Sequence, residues 1–121
     1  GEPRLLLDAI RVRSFAYRAP WIYVVPGADE PVYRVALDGT AEVFATPAGD
    51  FFEGAATSSG RLFTGRVLGG EVSEVISMDD QGNVSGFGTR NAVLTSLTVA
   101  GNCVYAGYRQ NETGWVERLG F

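Results

Sequence analysis

Apolar and polar residues alternate in short runs along the chain, and each run ends at a turn rich in Gly, Pro, Asp or Asn. Typical runs lie at residues 21–25 and 93–99, where Val, Ile, Leu, Thr and aromatic residues dominate. An alternation with a period of two is typical of β-strands, and short Gly-rich or Asp-rich turns are typical of antiparallel hairpins. The pattern predicts an all-β fold with strands at residues 11–17, 21–25, 32–37, 41–46, 52–57, 62–67, 73–78, 84–89, 93–99, 103–108 and 115–119.

The predicted strands recur with a period of 41 residues. The run at residues 21–25 aligns with the runs at 62–66 and 103–107, and the turn before each run aligns as well. Four short strands in 40 to 45 residues form one unit of a repeat architecture in which each unit packs against its neighbours. The chain therefore divides into units at about residues 10–50, 51–91 and 92–121.

The third unit is one strand short, and an additional strand is predicted near the N-terminus. Residues 4–8 precede the first unit and belong to none of the three. A last unit that is completed by an N-terminal strand is how a ring of four-stranded units closes. Residues 3–9 are therefore assigned to the third unit, and residues 1–121 form a single domain.

Two segments give this repeat a resemblance to a known fold. VYRVALDGT, at residues 32–40, resembles the third-strand segment of YWTD-type propellers, and SMDDQGNVSGF, at residues 77–87, resembles a hairpin of bacterial gluconolactonase-type and NHL-type propellers. The resemblance implies a β-propeller with three four-stranded blades in each chain. Three blades are too few for a ring, so we expect a homodimer that closes a six-bladed ring, with the N-terminal strand completing the last blade. The alternative is that the chain is a piece of a longer propeller.

The charge composition excludes several functions. All ten basic residues are Arg, there is no His, and fourteen acidic residues give a net charge of -4. Dispersed Arg in an acidic chain does not form the basic stripe that nucleic acids require. Without His, the Ser-His and Cys-His catalytic systems are absent, and so is the commonest zinc ligand. One Cys permits no intrachain disulfide, and no apolar run of 18 residues is present for membrane insertion.

Three acidic residues occupy one position of the repeat. Glu30, Glu71 and Glu112 are 41 residues apart and fall between the second and third strands of their units. In a propeller these connections lie on one face, at the mouth of the central channel. A ring of glutamates there would focus a negative potential suited to cations or basic partner segments. The competing interpretation is that they are solvated loop residues that the repeat inherits.

Further candidates lie beside the channel of the expected propeller. Asp50 and Asn91 hold matching positions and, by resemblance to gluconolactonase-type propellers, would help to bind calcium through oxygen ligands. Glu53 interrupts an apolar position of an innermost strand, with Arg13 at the matching height. These two charges form either an ion pair between blades or a polar ligand site. The Asp79 segment lacks the spacing of a calcium loop and is predicted to be a hairpin turn.

The sequence favours a non-enzymatic binding or assembly module. The ligand would be a protein segment, a glycan or a small polar molecule, bound on the loop face at Glu30, Glu71 and Glu112. The alternative is a metal-assisted hydrolase or lactonase-like enzyme that uses Glu53, Asp50 and Asn91, and a third hypothesis is a purely structural role. No cofactor is expected unless calcium binds. The compartment stays open, with a bacterial secreted or periplasmic location favoured.

Overall fold

In the part of the chain that the structure describes, eleven β-strands form three antiparallel sheets, and strands that follow one another in the chain are neighbours. The computed structural model describes residues 3, 5, 12–26, 30–46, 50–56 and 61–119, with the backbone alone for 50–56. The first sheet contains β1 (Ser14–Arg18), β2 (Trp21–Val25), β3 (Val32–Ala36) and β4 (Ala41–Ala45). The second contains β5 (Asp50–Ala56), β6 (Leu62–Gly69), β7 (Val72–Met78) and β8 (Val84–Arg90). The third contains β9 (Val93–Ala100), β10 (Cys103–Gln110) and β11 (Thr113–Leu119).

The predicted all-β fold and its eleven interior strands are confirmed. Their ends differ from the prediction by three residues at most, and the largest difference is in β1, which begins at Ser14 and not at residue 11. Of the predicted N-terminal strand only Leu5 is described, and it is exposed and outside any strand. The remaining residues of that strand lie outside the described part of the chain. Within the described residues there is no helix of the length and apolarity needed to cross a membrane.

The second sheet lies between the other two and buries both of its faces. One face packs against the first sheet through Leu62, Ile76 and Met78. The opposite face packs against the third sheet through Phe63 and Val75. The alternation along β6 and β7 sends neighbouring side chains to opposite faces, as the pleat of a strand requires. At the middle of the stack, β5 contacts both β1 and β9.

Both end sheets carry apolar side chains on their outer faces, which point away from the second sheet. On the first sheet Phe15, Val24, Tyr33 and Val43 are paired in successive strands, and Phe15 is 67% exposed. On the third sheet Val116 is 71% exposed and pairs with Gly107. Val24 is only 5% exposed and Val43 is 55% exposed, so the outer face of the first sheet is covered in part.

Candidate functional site

One end of the three sheets, called here the loop side, carries the β2–β3, β6–β7 and β10–β11 connections. The opposite end, called the turn side, carries the β1–β2, β3–β4, β7–β8 and β9–β10 turns. Hydrogen bonds between the second and third sheets join the loop-side ends of the two. The buried Ser73 hydroxyl donates to the Ala92 carbonyl at 2.6 Å, and the Gln110 side chain donates to the Asn91 carbonyl at 2.8 Å. These bonds hold the short β8–β9 loop in place on the loop side.

Glu71 and Glu112 occupy the same position of two similar tight turns. Each is the second residue of a two-residue connection and follows a residue with a positive φ, which is 54° at Gly70 and 55° at Asn111. Gly and Asn are the residues that adopt this left-handed conformation most readily. Both glutamates are exposed. The local turn geometry, and not only the repeat spacing, therefore makes the two positions equivalent.

Glu30 lies in the corresponding but longer connection between β2 and β3. It is exposed, two residues before β3 begins, and residues 27–29 of this connection are outside the described part of the chain. The structure thus places Glu30, Glu71 and Glu112 at the loop-side end of three consecutive sheets. Among the described residues, no three Asp, Glu or Cys side chains lie close enough together to hold a metal ion. The three glutamates of one chain are therefore separate exposed carboxylates.

The remaining predicted site residues are described to different extents. Asn91 is exposed in the β8–β9 loop, beside Gln110. Arg13 is exposed on the loop side, where its backbone N–H donates to the Val25 carbonyl at 3.0 Å. For Asp50 and Glu53 only the backbone in β5 is described, with a bulge between Phe51 and Glu53. Calcium binding at Asp50 and Asn91, and an ion pair of Glu53 with Arg13, stay predictions.

An ion pair that the sequence did not indicate joins the second and third sheets. The Glu117 carboxylate on β11 accepts hydrogen bonds from Arg90 Nε at 3.0 and 3.1 Å and from Trp115 Nε1 at 2.9 Å. The Arg90 bonds, then the Trp115 bond, lower the pKa of Glu117. The same carboxylate raises the pKa of Arg90, and burial raises the pKa of nearby Tyr108, with a further contribution from Glu117. Glu117 is thus bound in its charged form and fixes two edge strands.

The turn that the sequence predicted at Asp79 is a hairpin between β7 and β8. The Asp79 side chain accepts hydrogen bonds from the backbone N–H of Gln81 and of Asn83, both at 2.9 Å, and from the Asn83 side chain at 3.0 Å. These bonds, led by that from the Asn83 side chain, lower the pKa of Asp79. The carboxylate oxygens are thus used inside the turn, which is how a structural Asp turn is built.

Sequence reasoning missed a cavity on the turn side, between the first and second sheets. Arg18, Trp21 and Arg34 line it from the first sheet, and Asp80 and Gln81 line it from the second. No local pattern joins these residues, because the two groups are far apart in the chain and meet only when the sheets stack.

No protein-family model matches the sequence, and no curated protein shows significant similarity to it.

Proposed function

We propose that the chain is a non-enzymatic binding module of the β-propeller type, which binds a basic segment of another protein on its loop side. The observation that carries this proposal is the equivalence of Glu71 and Glu112. Both are exposed at the same position of matching turns in neighbouring sheets. Glu30 adds a third exposed carboxylate in the corresponding connection of the first sheet.

The physical basis is electrostatic. Exposed carboxylates keep their hydration, so their charge takes little from the stability of the fold. Several of them at one end of a molecule sum to a negative potential. The net charge of the chain is also negative, at -4, so the potential stays negative at long distances from the loop side. A segment rich in Arg or Lys would gain both association rate and affinity from it, with a strong dependence on salt.

We propose further that the three sheets are consecutive blades of a propeller and that a second copy completes the ring. The stacking supports this, because the second sheet uses opposite faces for its two neighbours. The exposed apolar residues on the outer faces of the first and third sheets would then meet those of a second chain in the same arrangement. Propellers have about four to eight blades, so two chains with three blades each suffice. Such a ring would bring six glutamates to one face.

Binding of a labelled Arg-rich peptide, followed by fluorescence anisotropy at low and physiological salt, tests the proposed ligand. The single changes Glu71→Gln and Glu112→Gln should each weaken binding about two- to fivefold, as loss of one exposed charge contact of up to about 1 kcal/mol predicts. The variant with Gln at all three glutamates should bind at least tenfold more weakly. The matched control is Asp80→Asn, which removes one exposed acid from the turn side.

Each other outcome contradicts the proposal. Equal loss of binding in Asp80→Asn would show that net charge alone attracts the peptide. Binding of an acidic peptide of the same length with similar affinity would show that the contact is not electrostatic. Saturable binding of a neutral oligosaccharide, with no binding of the basic peptide, would assign the loop side to a glycan or a small polar ligand.

A further inference from the structure

The cavity on the turn side has a volume of about 320 Å³ and opens to solvent between the first and second sheets. Its size lies at the lower end of the range for small-ligand sites, which is about 300 to 1,000 Å³. Its lining consists of Arg18, Ala19, Pro20, Trp21, Tyr23, Arg34, Asp80 and Gln81. None of these residues belongs to the loop side, so the cavity is separate from the peptide site proposed above.

Arg34 is held in one position at the wall of the cavity. Its Nε donates to Glu42 Oε1 at 2.7 Å, and its guanidinium carbon lies 4.4 Å from the centre of the Trp21 ring. The centre of the Phe44 ring lies 5.4 Å from the same guanidinium carbon. A guanidinium carries five N–H donors, and its hydrogen bond to the described residues uses only the one on Nε. The ion pair and the two rings therefore fix the plane of a group whose other donors remain available.

Arg18 provides a second cation to the same cavity. It ends β1, is half-buried, and makes no hydrogen bond or ion pair with the part of the chain that the structure describes. Asp80 is the one acid among the described residues that line the cavity. Glu42 lies outside the lining and balances the charge of Arg34. The attraction for an anion therefore comes from the charge of Arg18 and from the unused N–H donors of Arg34, in a concave, partly desolvated place.

The opposite wall of the cavity is a rigid turn that carries polar side chains. Asp80 and Gln81 belong to the β7–β8 hairpin, whose backbone is fixed by the bonds to Asp79. The same hairpin packs closely on the first sheet, since a Cβ on Gly82 would lie 2.7 Å from the Phe44 carbonyl oxygen. The carboxylate of Asp80 accepts hydrogen bonds, and the amide of Gln81 both donates and accepts them. Such groups match hydroxyls on a ligand.

We propose that this cavity binds a small hydroxylated anion, a sugar acid or a sugar phosphate. Arg18 and Arg34 would bind the carboxylate or phosphate oxygens, and Asp80 and Gln81 would bind the hydroxyls. Arg suits this role because its planar fork forms paired hydrogen bonds to either oxyanion. The site lies within one chain and does not depend on the peptide site or on a second copy.

Isothermal titration calorimetry with glucuronate, glucose 6-phosphate and glucose tests this proposal. We expect saturable binding of at least one of the two anions, with the better one showing whether the site prefers carboxylate or phosphate, and no binding of glucose. Arg18→Gln should weaken binding of that anion at least tenfold, and Arg18→Lys should restore only part of it because Lys lacks the fork. The matched control, Arg118→Gln, removes an exposed arginine on β11 and should leave the affinity unchanged.

Chemical shifts of the wild-type protein locate the ligand without a variant. The backbone amides of Trp21 and Gln81 should shift on addition of the anion, while those of Glu71 and Glu112 should not. Absence of binding by both anions, equal loss in Arg118→Gln, or shifts confined to the loop side would each overturn the proposal. Failure of the peptide assay has no bearing on these outcomes, because the two sites share no residue.

Discussion

Gly82 shows how a single residue controls the packing of two sheets. Its φ of 82° lies in the left-handed region, and a Cβ would lie 2.7 Å from the Phe44 carbonyl oxygen. Gly82→Ala should therefore lower the free energy of unfolding by about 2 to 4 kcal/mol, from backbone strain and a backbone collision together. Urea unfolding followed by circular dichroism measures the loss.

Gly101 provides the matched control for Gly82. Its φ of 63° is also left-handed, but no atom lies within 4 Å of the position of a Cβ. Gly101→Ala should cost only the backbone strain, about 1 to 2 kcal/mol. Equal losses of stability in the two variants would show that the close contact between the β7–β8 hairpin and β4 adds nothing to the cost of Gly82→Ala.

Individual residues were predictable from the sequence where a turn determines them. The 41-residue spacing predicted the shared position of Glu71 and Glu112. It did so because both follow strands of similar length and lie in tight turns of the same kind. The cavity beside Arg18 and Arg34 was not predictable, since its second wall comes from another sheet. The same holds for the bond between Arg90 and Glu117. Sequence patterns report local geometry and carry little information on which side chains meet between sheets.

At the scale of strands, positions and pairing were predictable but the direction of side chains was not. Trp21, Leu62 and Cys103 hold one position of the 41-residue repeat. Yet Trp21 packs toward the second sheet, Leu62 packs toward the first, and Cys103 lies on an outer face. A bulge or a turn of different length reverses the face of every later side chain in a strand. Bulges occur here in β5, between Phe51 and Glu53, and in β9, where Thr95 is the extra residue between the Ser96–Gly107 and Leu94–Tyr108 pairs, and the repeat spacing does not reveal them.

The pair of Arg90 and Glu117 makes the contact between the second and third sheets dependent on pH. Because the folded pKa of Glu117 is lowered, the pair contributes its full stability at any pH above the ordinary pKa of an unfolded Glu. That contribution is lost as the pH falls through the lower folded pKa. Glu117→Gln should lower the free energy of unfolding by about 1 to 2 kcal/mol at neutral pH, and the difference from wild type should shrink toward zero in strong acid.

Urea unfolding at several pH values measures this difference. Glu42→Gln is the control, because it breaks the pair with Arg34 inside the first sheet, where Glu42 is more exposed than Glu117. Such an exposed pair contributes at most about 1 kcal/mol. A Glu117→Gln effect that did not change with pH would show that the loss comes from packing and not from the charge.

At the scale of the whole molecule, the outer faces of the end sheets connect the fold to the assembly. Sheets that face solvent on one side alternate apolar with polar residues, so that their outer side is polar. Here Phe15, Tyr17 and Val43 on the first sheet, and Val116 on the third, are exposed instead. Large exposed apolar areas are uncommon on monomers and mark contact surfaces. The repeat in the sequence predicts blades, but it does not say whether a second copy or further sequence provides the neighbouring ones.

Val116→Glu tests the proposed contact between two copies. A charge on the outer face of the third sheet would lose its hydration in the ring without a partner, at a cost of several kcal/mol. Size-exclusion chromatography with light scattering should give twice the chain mass of 13.0 kDa for the wild type and the chain mass for Val116→Glu.

Val84→Glu is the control, since Val84 is 47% exposed on β8, the edge strand of the second sheet, away from both outer faces. That variant should keep the mass of two chains. A wild-type protein that has the mass of one chain over a wide range of concentration would exclude the ring of two copies. An unchanged mass for Val116→Glu would place the contact elsewhere.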